Sequence, residues 1–273
     1  MPTLEQRSTS TLVKAINIGD SGSGKTAALA SLARAGYEVF ILDFDNGTDI
    51  LLDPSVLAPE FRHKIIVETL TDKMVKGVNG PVCQDPKAAR NGVNLLTKWK
   101  EYGAVDAWGP NRVLVIDSIT AHGTASLNWV RKLNMRVGQG LRINDWGDAI
   151  SMQERMLQLL YSDEVKCHVI VNAHITYQGG DDASVDMGIK GWPSALGSKF
   201  PPKVGRLFSM VVRTSSIGSG TNEKRYIQTQ SSPVIELKNP MPSLIEKRYG
   251  INEGWEKIFA AVTGNAFAPK VEG

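Results

Sequence analysis

The sequence predicts one α/β domain built on a mainly parallel sheet flanked by helices, with a short antiparallel extension near the C-terminal end. Three observations carry that expectation. A glycine-rich run, Gly19-Asp20-Ser21-Gly22-Ser23-Gly24-Lys25-Thr26, lies between an apolar strand-like stretch and a helix-forming one. Downstream, apolar runs of strand length alternate with longer segments, the pattern of parallel strands covered on both faces. Beyond Leu207 the alternation gives way to short runs divided by Gly, Ser, Asn and Pro.

Taken in order, residues 1–10 are polar and without periodicity, which predicts a flexible N-terminal arm. Residues 11–18 form an apolar strand running into the glycines. Residues 26–35 read as a helix with Leu29 and Leu32 on one side and Gly36 as its stop. Val39, Phe40, Ile41 and Leu42 stand in a row within 38–44, as in a strand buried on both faces. A strand at 64–68, a helix over 86–102 entered at Asp85 and a β-branched strand at 112–116 follow. A helix over 145–161 leads to a further buried strand at 167–172. Strand–helix alternation of this kind favours right-handed crossovers and a parallel sheet. Short strands at 211–213, 224–229 and 234–237 make the antiparallel extension, and a last helix spans about 254–262. With no repeat and no linker, the domain is expected over 11–262, followed by a flexible tail at 263–273.

Composition narrows the function classes. Among 273 residues, 42% are apolar and 22% charged, as in an ordinary globular chain. Cys83 and Cys167 have no CxxC or Cys/His ligand spacing and read as reduced packing residues. No run approaches about 18 uninterrupted apolar residues, and Glu5 and Arg7 break any leader pattern. A soluble, cytoplasmic protein without a membrane partner is therefore expected. The net charge of +3 is too mild to imply a nucleic-acid partner by itself.

The glycine-rich run matches the P-loop pattern in the strand-to-helix context that the motif requires. Its glycines let backbone N–H groups converge on phosphate oxygens, Lys25 reaches the β- and γ-phosphates, and the Thr26 hydroxyl binds magnesium. Residues 19–26 are thus expected to hold ATP, with the loop exposed and Lys25 serving phosphate charge rather than packing. Arg112-Val113-Leu114-Val115-Ile116-Asp117 is an apolar strand ending in a carboxylate, the Walker B arrangement, which makes Asp117 the second magnesium ligand. Ser118 follows instead of Glu, so the residue that activates water must lie elsewhere.

The strand at 38–44 supplies a candidate, since it ends Leu42-Asp43-Phe44-Asp45-Asn46-Gly47-Thr48-Asp49. Here the sequence resembles the RecA family, in which that strand's end carries an acidic residue that orients the attacking water. The resemblance implies that role for Asp45, one methylene shorter than the usual Glu, with Asp43 and Asp49 as lesser candidates. It also implies a γ-phosphate sensor at His174, after the strand at 167–172, so that Asp45, Lys25 and His174 form the catalytic set. Two segments without acidic residues occupy the places of the family's DNA-binding loops. Residues 122–144 carry Arg131, Lys132, Arg136 and Arg142 beside Trp129. Residues 187–222 carry Lys190, Lys199, Lys203, Arg206 and Arg213 beside Trp192 and Phe200. Cations that neutralise phosphates and aromatics that stack on bases suit single-stranded DNA. Arg131, Lys132, Arg136, Arg142, Lys199 and Lys203 are the expected contacts.

Over residues 11–250 the set is similar to the phage RecA-like ATPases, including the RecA-related single-strand annealing proteins. That likeness implies an ATP- and Mg²⁺-dependent homo-oligomer, located in the host cytoplasm if phage-encoded, and the shorter reach of Asp45 implies slow hydrolysis. Single-stranded DNA and a single-stranded DNA-binding protein are the implied partners. The chain lacks a clear N-terminal oligomerisation domain of the bacterial RecA kind, which weighs against full strand exchange. A nucleotide-gated assembly or regulatory ATPase that ignores DNA is the alternative. A small-molecule phosphotransferase is disfavoured by the absence of an Arg-rich lid motif.

Overall fold

The computed structural model describes residues 11–77, 80–178 and 189–264; the expected arm at 1–10 and nearly all of the expected tail lie outside the described residues. The first strand, β1 (Lys14–Ile18), runs through the glycine-rich turn into α1 (Lys25–Ala28) and α2 (Ala30–Arg34), two segments of one helical stretch parted at Leu29. There follow β2 (Glu38–Asp43), β3 (Ile65–Thr69), the hairpin β4 (Met74–Gly77) and β5 (Gly80–Cys83), and α3 (Ala88–Thr97). Next come β6 (Arg112–Asp117), α4 (Ile119–Leu133), α5 (Ile143–Tyr161) and β7 (His168–Ala173). The hairpin β8 (Ile175–Gln178) and β9 (Lys190–Pro193), then α6 (Pro201–Val204), precede β10 (Met210–Ile217), β11 (Lys224–Gln228), β12 (Arg248–Gly250) and α7 (Gly254–Thr263).

The main sheet has the order β12-β11-β10-β1-β7-β6-β2-β3. Its six strands from β10 to β3 are parallel, and β11 and β12 add antiparallel at the β10 edge. This is the mainly parallel, helix-flanked sheet with an antiparallel C-terminal extension that the sequence predicts. Successive residues of the central strands supply opposite cores. Phe40, Leu42, Leu114, Ile116, Val169 and Val171 face one layer with α3, α4 and α5. Val39, Ile41, Val113, Val115 and Ile170 face the other, with α2 and α7. Burial on both faces explains the continuous apolar runs, each such side chain contributing about 1.5–3 kcal/mol relative to exposure.

Some expectations need correction. Residues 234–237 do not form a strand: only the single bridges Gly191–Ile235 and Val211–Lys238 form there. Pro233 and Pro240 bracket the run and cannot donate to a ladder. The last strand of the extension is instead β12. The helix expected over 86–102 is cut to α3, because Lys98 adopts an extended conformation. Much of the first basic segment is helical, since α4 continues to Leu133.

Two contacts fix how α4 and α5 stand against the sheet. The Gln153 amide donates to the Ile119 carbonyl at 2.7 Å, and Lys14 Nζ donates to the Tyr161 carbonyl at 3.1 Å. Lys14 opens β1, whereas Ile119 lies just past the end of β6. The second half of α5 therefore spans the sheet. Its first half, about 15 Å long at 1.5 Å per residue, pairs with α4 beyond the carboxyl edge.

Candidate active site

β1 delivers Gly19 to a turn that has no room for a side chain. A Cβ there would lie 2.5 Å from both Ser23 Oγ and the Thr214 carbonyl. Gly24 has φ of 99°, a left-handed conformation that favours glycine. Lys25 follows and is 7% exposed, so it is buried, contrary to expectation. Its Nζ donates to the carbonyls of Gly19 at 2.9 Å and Asp20 at 3.0 Å. Burial lowers its pKa, against the opposing pull of Asp117, Asp45 and Asp20.

Thr26 Oγ1 donates to Asp117 Oδ2 at 2.6 Å, which joins the two predicted magnesium ligands. Asp117 ends β6 in register with Asp43 of β2. Burial pushes its carboxyl pKa up; hydrogen bonding from Thr26 and Asn172 opposes the rise, and the charges of Asp45 and Asp43 add to it. Asp43 is engaged in shaping the loop, accepting from the Gly47 N–H at 3.2 Å and the Thr48 hydroxyl at 3.0 Å. The N–H groups of Phe44 and Asp45 both donate to the Asp117 carbonyl, at 2.6 and 3.3 Å, so the backbone of β6 sets the position of Asp45. The peptide joining Asp117 to Ser118 is cis.

Asp45 Oδ2 lies 3.8 Å from His174 Nε2, with both side chains about one-third exposed. Burial alone would raise the Asp45 pKa, but the polar groups of His174 and Ser118 and the charge of Lys25 hold it below the ordinary aspartate value. His174 is pinned through its backbone. Its N–H donates to Thr120 Oγ1 at 3.1 Å and its carbonyl accepts from the Ser194 N–H at 2.7 Å, while Thr120 Oγ1 donates to the Ser194 carbonyl at 2.9 Å. The structure thus brings Lys25, Thr26, Asp117, Asp45 and His174 to one edge of the sheet. Asp49 is exposed in the turn after β2.

A buried polar chain escaped the sequence reading. Thr214 Oγ1 donates to Asn17 Oδ1 at 2.7 Å, and Asn17 Nδ2 donates to Asn172 Oδ1 at 3.0 Å, all three residues being fully buried. It leads across β10, β1 and β7 toward Asp117. The signal available was a lone amide inside an apolar strand, as in Ala15-Ile16-Asn17-Ile18. Beside it, Arg213 Nη2 lies 3.6 Å from Asp20 Oδ2.

These residues fit a nucleoside triphosphate and magnesium. Lys25 is held over the turn by main-chain carbonyls, and Thr26 and Asp117 present two adjacent oxygens, the donor set a hard cation prefers. Thr26 and Asp117 would hold the ion, which when bound neutralises charge on the phosphates. Asp45, ionised and solvent-accessible, would orient a water molecule.

The expected DNA contacts are placed unequally. Arg136 forms an ion pair with Asp145, which is fully buried and also accepts from Asn134 Nδ2 at 2.9 Å and the Arg142 N–H at 2.8 Å. Lys132 pairs with Asp85 and sits 5.2 Å above the Trp129 ring. Arg131 donates to the Gln139 carbonyl. Arg142, Lys199 and Lys203 are exposed. Trp192, on β9, is half-buried. Part of the second segment, residues 187–188, lies outside the described residues.

The mainly parallel sheet and the glycine-rich turn carrying Lys25 and Thr26 are those of a P-loop ATPase domain. The chain belongs to the AAA domain family, whose model matches residues 12–241. No curated protein matches its sequence. Among solved structures it is similar to the flagellar accessory protein FlaH from Methanocaldococcus jannaschii, at 13% identity and TM-score 0.43, covering 86% of this chain and 83% of that one. A KaiC-like protein from Pyrococcus horikoshii OT3 matches at 13% identity and TM-score 0.40, covering 79% and 77%. A type III secretion system ATPase of pathogenic bacteria matches at 14% identity and TM-score 0.42, covering 75% and 52%. Among the described residues, no helix is long and apolar enough to cross a membrane.

Proposed function

We propose that this ATPase domain, as a RecA-like homo-oligomer, binds single-stranded DNA and couples slow ATP hydrolysis to annealing or recombination. The supporting observation is the knot of His174, Ser194 and Thr120. Its hydrogen bonds tie the candidate γ-phosphate sensor to both basic segments, because Thr120 opens α4 and Ser194 leads toward Lys199 and Lys203. A change at His174 on nucleotide binding would reach both segments through bonds of ordinary strength. In this reading Asp45 orients water, Lys25 holds phosphate charge, Thr26 and Asp117 hold magnesium, and Arg142, Lys199 and Lys203 meet the DNA backbone. Binding of a labelled single-stranded oligonucleotide at rising salt, with and without ATP, tests it. The reading requires ATP-dependent affinity that falls with salt, and no binding at low salt with ATP refutes it.

A second reading, nucleotide-gated assembly without DNA, is favoured by the apolar tip of the α4–α5 hairpin. There Leu133, Met135 and Ile143 are 58%, 91% and 89% exposed. ATP-dependent change of oligomeric state without oligonucleotide binding would select it.

A further inference from the structure

A groove of about 440 Å³ lies among α3, α4 and α5, with Leu96, Val130, Met152 and Met156 in its lining. Val93 of α3, Leu133 of α4 and Leu159 of α5 also line it and are 43%, 58% and 44% exposed. Apolar side chains scattered singly on a surface need no explanation, whereas several gathered round one groove mark a contact surface. Two charges stand on the same groove, Asp148 and Arg155 of α5. Both are exposed, and among the described residues neither side chain has an ion-pair or hydrogen-bond partner. They are seven residues apart on one helix, two turns or about 10.5 Å, so they share a face at a spacing too long for them to pair with each other. Between them Ser151, small and exposed, leaves room for another helix to approach.

This pattern complements itself. When two α5 helices are set antiparallel about a two-fold axis passing between Ser151 and Met152, Asp148 of each copy faces Arg155 of the other. The same rotation brings Leu159 of the second copy level with Asn144 of the first. Leu133 lies at that level too, because its neighbour Asn134 donates through Nδ2 to Asp145 at 2.9 Å. One register therefore matches the opposite charges near the axis and the exposed leucines at both ends.

We propose that this face binds a second copy of the chain through an antiparallel, two-fold α5–α5 contact, with an Asp148–Arg155 ion pair on each side of the axis and Leu133 packed on Leu159 at each end. The contact needs neither nucleotide nor DNA, so its failure would leave the phosphate site and the basic segments as they stand. Sedimentation velocity over a range of protein concentrations, without nucleotide, tests it on the unaltered chain, on Asp148→Arg and on Arg155→Asp. Both side chains are exposed, so neither change disturbs the core. The unaltered chain should dimerise. Each variant alone sets like charges against each other on both sides of the axis and should dimerise at least about tenfold more weakly. An equimolar mixture of the two variants should recover the dimer, because the two altered side chains then meet each other and the two unaltered ones do the same. A chain that stays monomeric at every concentration, variants that dimerise as well as the unaltered chain, or a mixture as weak as its components overturns the assignment.

Discussion

Replacing Asp45 with Asn removes one carboxylate and almost nothing else, because the side chain is partly exposed and its backbone is hung on the Asp117 carbonyl. A positioned general base contributes about 10²–10⁴-fold, or roughly 3–5 kcal/mol of barrier, so turnover should fall by at least about 10²-fold. ATP affinity should move the other way. Asp45 opposes the phosphate charge near Lys25, and a partly exposed interaction of up to about 1 kcal/mol corresponds to binding tighter by up to about fivefold. Single-turnover quench kinetics with equilibrium titration on the same preparation separate the two effects. The pH profile adds a sign. With its pKa held below the ordinary value, Asp45 stays ionised through mildly acidic pH and imposes no acid limb there. His174→Ala removes one of the groups that hold this pKa down, so the carboxyl pKa rises and an acid limb should move to higher pH. Normal turnover in Asp45→Asn refutes the assignment; equal loss of turnover and affinity would make Asp45 part of the binding site instead.

Lys25→Ala should abolish tight ATP binding in nucleotide titration. Melting should show little stability loss, because burial already disfavours the ammonium and offsets the two carbonyl bonds it makes. Asp117→Asn should weaken the magnesium dependence of ATP binding yet raise the melting temperature of the nucleotide-free protein at neutral pH. A carboxyl whose folded pKa is raised by burial subtracts stability as pH rises through that window, and Asn keeps an acceptor for Thr26 without the charge. Arg136→Ala should cost about 3–5 kcal/mol in denaturant melts, since it strands the buried Asp145 charge, and should leave the salt dependence of oligonucleotide binding unchanged. Arg142→Ala with Lys199→Ala and Lys203→Ala should do the reverse, flattening the log–log salt slope by about 0.7 for each phosphate no longer neutralised, as fluorescence anisotropy would show.

The parallel sheet was legible because its strands are buried on both faces, which leaves unbroken runs such as Val39–Leu42 and Val113–Ile116 in the sequence. α4 was not, because its buried face mixes Ile119, Ala125, Leu127 and Val130 with His122, Gly123 and Ser126, which breaks the apolar period. β12, three residues long, carries no period at all. Within the site, the phosphate loop and Asp117 are local patterns and could be read directly. Asn17, Asn172 and Thr214 are separated by as many as 197 positions and meet only through sheet register. Arg136 looked like a free cation because the acid-free segment stops one residue short of its partner Asp145.

The charge balance of the site bears on what it can bind. Asp43, Asp45 and Asp117 gather at the ends of two adjacent strands, with Lys25 as the cation that senses both Asp45 and Asp117. Asp20 of the loop is faced by Arg213. Burial is the main reason the Asp117 carboxyl pKa is raised, and the charges of Asp45 and Asp43 add to it. Thr26 and Asp117, whose oxygens stand 2.6 Å apart, would hold a divalent cation, which would supply compensating positive charge there. The amide chain from Thr214 through Asn17 to Asn172 is fully buried, where apolar residues would fill the space without needing partners. It fixes the Asn172 side chain on β7 beside Asp117, whose carboxylate accepts from the Thr26 hydroxyl of α1. On the proposed reading magnesium and nucleotide would bind together at Thr26 and Asp117, the core of the sheet fixing the carboxylate that would hold the metal.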